Sequence, residues 1–327
     1  MSIFNTGRSL IHKTKVIPIF LTISNDFSPY AACTITSLIK HANPNRYYRI
    51  IILHDGMSFH NYFHLRRLVT RNCEIQFHKI SHNLYLRAII KHCSKKTGSG
   101  DFFSSAVYFY RSFIARLYPQ YERAIYIDSD TILTGDIAGL FDINMGEENM
   151  VGAMVDPKVS DVPEFRAYVE NALGIPASEY VNSGVLLLDL KKMRKMHYLT
   201  RMINIINKYD PSLVAPDQDY LNVICRGKIY HLNPKWNAQP TKEGAPKGAK
   251  LVHFNLFKKP WQCDGVDGEE LFWKAAKDSG YYSELMRGKE NFSIKELRNK
   301  EDQVQALIRK AEKMSKAKEP VIKNEDL

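Results

Sequence analysis

The chain has 327 residues, 44% of them apolar and 25% charged, which excludes a disordered or collagen-like polypeptide and suffices for one large α/β domain with an appendage. Its five cysteines, Cys33, Cys73, Cys93, Cys225 and Cys263, are scattered and form no Cys-x-x-Cys pair, which argues against a disulfide framework or a structural zinc site and fits a reducing cytosol. The net charge of +11 is concentrated between Lys40 and Lys96, a stretch suited to a polyanion, although a solvated basic face is the commoner outcome.

Residues 16–23 are an apolar run that predicts a buried strand. Ser28-Pro29 then supplies the N-cap and first residue of a helix whose face carries Ala31, Ala32, Ile35, Leu38 and Ile39. Pro18 removes one ladder donor, but near the start of a strand that is tolerated. Residues 49–53 give a second strand, Phe59, Tyr62, Phe63 and Leu68 mark the next helix, and residues 73–77 return as a third strand. Strands joined by helical crossovers imply a parallel sheet.

A helical, aromatic-rich segment at 105–118 feeds the run Ala124-Ile-Tyr-Ile-Asp128-Ser129-Asp130-Thr131. Further buried strands are expected at 151–155 and 184–188, and one amphipathic helix at 191–209 with Met193, Met196 and Met202 in the core. After Trp261 the character changes. Residues 270–277 and 293–316 read as helices, the second capped by Ser293, with Ile294, Leu297, Val304, Leu307, Ile308 and Ala311 at helical spacing and a lysine-rich end. The expected organisation is a catalytic domain over 1–262 and a C-terminal helical extension over 263–327 with a basic, partly disordered tail. The amino terminus shows no signal-peptide pattern, and no apolar run approaches the roughly 20 residues that span a bilayer. A cytoplasmic location is expected, with the basic C-terminal helix a candidate peripheral contact to the inner face of the membrane.

Chemistry gathers at the strand ends. Asp128 and Asp130 terminate an apolar strand where open α/β folds bind ligands. Crowded, unpaired carboxylates cost several kcal/mol, so a divalent cation with a substrate phosphate explains the pair, whereas an isolated Asp-x-Asp is more often a solvated turn. Four further groups follow in order around this pair: Tyr110-Arg111, then Asn182-Ser183-Gly184, then Asp217-Gln218-Asp219 opening a helix, then His253 with Lys259-Pro260-Trp261.

That ordered series resembles the family 8 retaining glycosyltransferases, which include bacterial lipopolysaccharide galactosyl- and glucosyltransferases and, more distantly, glycogenin. The resemblance covers residues 16–261 and implies an α/β GT-A fold, a mostly parallel central sheet with helices on both faces. It also implies manganese or magnesium and a UDP-sugar donor, UDP-glucose or UDP-galactose. Carried over residue by residue, it makes Asp128, Asp130 and His253 the metal ligands and Lys259 the grip on the diphosphate. Arg111 then contacts the donor sugar or phosphate, and Ser129, Asn182 and Ser183 line the donor pocket. Asp217 holds donor hydroxyls and Gln218 lies near the anomeric carbon, with Asn182 as the third catalytic candidate. Asp156 is the acceptor contact, and Thr22 and Asp26 the nucleoside contacts. The chain departs from the family at Ser24-Asn25-Asp26-Phe27, where members usually carry Asp-Asp-Asn-Tyr, and at Leu256, where several carry glycine.

The implied partner is a glycan or lipid-linked glycan acceptor of lipopolysaccharide or another cell-surface glycan, and no nucleic acid is expected. Two other classes share parts of the pattern. In a haloacid-dehalogenase-like phosphatase Asp128 would be phosphorylated and Asp130 would act as acid and base, but that fold normally opens with the aspartate-tipped strand. A non-catalytic polyanion-binding protein would rest on the basic block alone.

Overall fold

The structure, a computed structural model, describes residues 16–80, 106–209, 213–240, 246–256, 258–317 and 319–322. Cys93, the part of the basic block after Ile80, Ser105 and the end of the tail lie outside these residues. Nine strands are described: β1 (Val16–Ile23), β2 (Tyr47–His54), β3 (Cys73–Lys79), β4 (Arg123–Ile127), β5 (Thr131–Leu133), β6 (Val151–Ala153), β7 (Val185–Asp189), β8 (Ile229–His231) and β9 (Leu251–His253).

Seven of them form the central sheet in the order β3-β2-β1-β4-β7-β6-β8, and β5 pairs with β9 in a small second sheet. Only β7 runs against the rest, antiparallel to both β4 and β6. The long apolar strands are covered on both faces, and their residues divide with period two. Phe20, Ile51, Leu53, Tyr126 and Leu186 enter one core, while Ile19, Leu21, Ile50, Ile52, Ile125 and Val185 enter the other. Burial on both faces is why these strands read as continuous apolar runs rather than alternating ones. Pro18 pairs with Arg49 of β2 and lies ahead of the β1–β4 ladder, which begins at Ile19, so its missing donor is harmless.

Several expected elements are reshaped. The 105–118 segment is a 3₁₀ run, Ala106–Phe113, followed by one α-turn, Ile114–Leu117. The expected helix over 191–209 is two helices, Leu190–Lys195 and Tyr198–Tyr209, because His197 between them adopts φ 55°. Met193 and Met202 are buried as expected. The helix Glu269–Asp278 places Phe272, Ala275 and Ala276 in the second core, and Trp261 stacks on Tyr30 of the first helix at 4.3 Å.

The last helix, Ile294–Ser315, starts at a capping box in which Ser293 and Glu296 satisfy each other's backbone amides. Its Leu307 and Ala311 join the first core, against Pro163–Ala167 and the π-helical turn Tyr168–Ala172. No described helix is long and apolar enough to cross a membrane.

Candidate active site

Two pairings assemble the site. The β4–β7 ladder continues past the strand end through Asp128 N–H donating to the Gly184 carbonyl at 2.7 Å, which sets Asn182-Ser183-Gly184 against the first aspartate. The β5–β9 register places Thr131 opposite His253, and Phe254 N–H donates to the Asp130 carbonyl at 3.0 Å. Residues more than a hundred positions apart therefore meet at the carboxyl edge of β4.

Ligand atoms of Asp128, Asp130 and His253 all lie within 4.8 Å of one another. His253 Nε2 stands 3.1 Å from Asp130 Oδ1 and 4.0 Å from Asp128 Oδ2. The ring's tautomer follows from its far side. Gly184 N–H donates to Asn182 Oδ1 at 2.9 Å, so the Asn237 Nδ2 at 2.9 Å from the same oxygen is a donor too. Asn237 Oδ1 is then the acceptor for His253 Nδ1–H at 2.9 Å, which leaves the Nε2 lone pair facing the carboxylates. A lone pair 3.1 Å from a carboxylate oxygen is an acceptor–acceptor contact that only a second ring proton or a metal cation between the two resolves. Two carboxylates and one imidazole of fixed tautomer suit manganese or magnesium, with further positions left for substrate oxygens.

Gly184 makes this approach possible. A Cβ there would lie 2.8 Å from Asp128 Oδ2 and closer still to the His253 ring.

Each aspartate has its own counter-charge. Burial opposes the Asp130 charge, but Lys259, with Nζ 2.7 Å from Oδ2, outweighs it, joined by His253 when its Nε2 is protonated, and holds this carboxyl well below the usual range. Asp128 is pushed the other way by burial, against the pull of Arg111, and neighbouring Asp130 adds to the rise. Its Oδ1 accepts from Tyr126 Oη at 2.5 Å and Arg111 Nη2 at 3.0 Å, and Thr22 Oγ1 stands 2.9 Å from the same Tyr126 hydroxyl.

Arg111 is buried between two carboxylates: its Nε is 3.2 Å from Asp217 Oδ2, its Nη1 donates to the Ser183 carbonyl at 2.6 Å, and its plane covers Tyr126 at 4.4 Å. Burial also raises the Asp217 carboxyl, again against Arg111.

The Pro216–Ile224 helix separates its two aspartates. Asp217 faces Arg111, whereas Asp219 is buried in the core and accepts from Tyr180 Oη at 2.6 Å, Tyr168 Oη at 2.8 Å and Ala215 N–H at 2.8 Å. Gln218, between them, is held at both ends. Its Oε1 accepts from Ser183 N–H at 2.9 Å and its Nε2 donates to Asp156 Oδ2 at 3.0 Å. Asp156 Oδ2 also accepts from Asn182 Nδ2 at 3.1 Å, while its Oδ1 caps the next helix at Lys158 N–H. One network thus runs from His253 through Asn237 and Asn182 to Asp156 and Gln218.

These groups surround a cavity of about 740 Å³. Every expected site residue lines it except Asp26. The 3₁₀ turn Asn25–Phe27 exposes Asp26 and brings Phe27 to the cavity instead, and Asn25 Oδ1 ties the turn to Ser58 N–H at 2.8 Å. Ser24 also lines the cavity, where the family pattern has an aspartate. Leu256 lines it with φ 59°, a left-handed backbone that glycine adopts more readily than leucine.

Sequence reasoning missed Asn237, which sits in a short loop with no periodic signal. As it fixes the His253 tautomer, Asn237→Ala is expected to weaken manganese binding about 10- to 100-fold, measured by calorimetric titration without donor, and Asn237→Asp to retain more of it. Equal affinities would remove the residue from the site.

Asp219 gives a separate expectation. Burial pushes its carboxyl from 3.8 up to about 6 against its three hydrogen bonds. Below 3.8 the proton is held in both folded and unfolded chains; between 3.8 and 6 the unfolded chain ionises first, so stability falls as pH rises. Relative to Asp219→Asn, the wild type is expected to lose about 3 kcal/mol across that window, read by urea unfolding.

The profile of Glycosyl transferase family 8 matches residues 18–265. General stress protein A of Bacillus subtilis is 25% identical over 275 residues, covering 78% of this chain and 90% of that protein. The lipopolysaccharide 1,2-glucosyltransferase of Escherichia coli is 27% identical over 173 residues, about half of each chain at 48% and 49%. Among solved structures, the galactosyltransferase LgtC in complex with donor and acceptor sugar analogs aligns with a TM-score of 0.67 at 21% identity, over 84% of this chain and all of that one. Its likeness is one of fold, the GT-A architecture. The family match sets the chain among glycosyltransferases and not among haloacid-dehalogenase-like phosphatases.

Proposed function

This chain belongs to glycosyl transferase family 8, and from that premise we propose that it moves a hexose, glucose or galactose, from a UDP-sugar to a glycan or lipid-linked glycan acceptor with retention at the anomeric carbon. One observation carries this: Asp128, Asp130 and His253 converge within 4.8 Å on a cavity that also holds Arg111 and Lys259. Ligands for a divalent cation with a lysine beside them suit a pyrophosphate bound through that cation. Similarity to a lipopolysaccharide 1,2-glucosyltransferase supports lipopolysaccharide or another surface glycan as the destination.

Transfer breaks the bond between the anomeric carbon and the diphosphate and forms a bond from that carbon to an acceptor hydroxyl oxygen, whose proton passes to the departing phosphate oxygen. Negative charge therefore accumulates on the diphosphate. A manganese or magnesium ion, when held by Asp128, Asp130 and His253, supplies Lewis-acid stabilisation of that charge. Lys259 adds a point charge at the same end of the cavity, and one unit pair at about 4 Å and an effective dielectric near 20 is worth about 4 kcal/mol.

Gln218 is pinned at both ends of its amide, so it presents a fixed dipole to the cationic face of the sugar, with Asn182 held in the same network. Asp217 is the partner for donor hydroxyls and Asp156 for the acceptor. Gln218→Ala is expected to lower kcat about a hundredfold with the donor KM little changed; full kcat would take Gln218 out of the reaction.

The proposal is tested by UDP release from UDP-glucose and UDP-galactose with and without manganese. Metal-dependent release from one of them is expected, and none from either would overturn it.

A further inference from the structure

The helix Ile294–Ser315 lies beyond the family match, which ends at residue 265, yet it forms a wall of the same cavity. Leu297, Lys300, Glu301, Val304, Gln305 and Leu307 all line it. Their spacing of three and four residues is one face of a helix.

That face is firmly held. Leu307 and Ala311 are buried in the core, Asn171 Nδ2 donates to the Ser315 carbonyl at 3.1 Å, and Val321 N–H donates to the Ala172 carbonyl at 2.7 Å. The surface beneath it, Pro163–Ala167 continuing into the π-helical turn Tyr168–Ala172, contributes Phe165, Tyr168 and Val169 to the cavity as well. A π-turn at a ligand-facing position is a recurrent mark of functional sites. Asp156 and Gln218, joined by a 3.0 Å hydrogen bond, also line this cavity, as do the metal-ligand candidates.

We propose that this helix is the specificity wall of the acceptor subsite, where a saccharide ring packs on Val304 and Leu297 and its hydroxyls bond to Glu301 and Gln305. The chemistry of the wall selects this class of ligand. Carboxylate and amide groups interspersed with aliphatic carbon match the hydroxyl rim and apolar faces of a sugar, and Lys300 on the same face adds a donor for a sugar oxygen. The inference rests on the proposed transferase reading and assigns the acceptor side of that site to residues outside the family domain. Because the helix lies beyond the residues of the family match, its place in this proposal is to set which glycan is used and not whether the donor is activated.

The test measures UDP release from UDP-glucose and UDP-galactose with manganese, alone and with glucose, galactose, lactose, maltose or cellobiose. Glu301 and Gln305 are exposed helix positions, so alanine there preserves the helix. In the double variant Glu301→Ala/Gln305→Ala the ratio of saccharide-dependent to saccharide-free release is expected to fall at least tenfold, with the change in the saccharide KM. Gln303→Ala, on the same helix but outside the cavity lining, is expected to keep the ratio. An unchanged ratio in the double variant, equal loss of both rates, or a wild type that no saccharide accelerates would each overturn the proposal. Absence of saccharide-free release from either donor would instead strike the transferase reading. Saturation-transfer NMR with the same five sugars, without donor, reads the subsite separately: it is expected to detect binding by the wild type and loss in the double variant.

Discussion

Asp130→Asn is expected to cut manganese-dependent transfer about a thousandfold or more and to erase the thermal shift that manganese produces, with the metal-free melting temperature lowered as well. The effects share one cause. Asp130 remains ionised despite burial because the Lys259 ammonium faces it. Asparagine keeps the volume but removes the anion that a divalent cation and the ammonium both need; about 4 kcal/mol of lost charge stabilisation is a factor of about a thousand in rate. The metal-free fold loses stability too, because a carboxyl held below its usual range stabilises the folded state while ionised, and asparagine leaves the Lys259 ammonium without its anion. Asp128→Asn is expected to cost the metal-free protein less. Asp128 is one of two carboxylates neutralising the buried Arg111, which keeps Asp217, and burial raises the Asp128 carboxyl, so removing its charge also relieves a desolvation cost. A manganese shift in Asp130→Asn equal to that of the wild type would remove this residue from the metal site.

The two aspartates look equivalent in sequence, and their divergence marks where sequence reasoning stops. Strands β1 to β4 were legible because burial on both faces demands continuous apolar runs, and Asp128 and Asp130 stood out because they end such a run, whereas the other polar groups were joined to them only by the order they share with the family series. The direction of β7 was not, since Val185-Leu-Leu-Leu reads alike in either sense; its reversal is what brings Gly184 to Asp128. Strands β5 and β8 have only three residues each, too few to carry a period. The break at His197 had no glycine or proline to announce it; histidine enters the left-handed region more readily than most side chains, but too rarely for its presence alone to mark a break.

Asp26 was expected at the nucleoside from its place in a family pattern, but a single 3₁₀ turn decides which of four adjacent side chains faces inward, and composition does not encode that rotation. Leu256 is the converse. Its mismatch with glycine was visible in the sequence, and the backbone takes a glycine-like conformation with leucine present. The helical stripe of Ile294–Ser315 was legible as an apolar face, yet nothing in its spacing says that the adjacent polar positions close a cavity.

Arg111→Ala is expected to destabilise the protein by about 3–5 kcal/mol, the range for breaking a buried ion pair from one side. The side chain is 5% exposed and neutralises Asp128 and Asp217 at 3.0 and 3.2 Å, so alanine strands two buried anions and leaves the Ser183 carbonyl without its guanidinium donor. The deficit has a pH signature. Burial already raises the Asp217 carboxyl and Arg111 is what opposes it; without the guanidinium the folded-state value climbs further above that of the unfolded chain. A carboxyl raised in the folded state contributes stability in acid and loses it as pH rises through the folded value. The deficit of Arg111→Ala should therefore be smaller at pH 5 than at pH 7.5, measured by urea unfolding in chelator-treated buffer. Combining it with Asp217→Asn should restore part of the stability, because one stranded charge is then gone and the two positions couple directly. Strict additivity of the two substitutions, or a deficit independent of pH, would mean that Arg111 holds the site by packing on Tyr126 alone and not by neutralising the carboxylates around it.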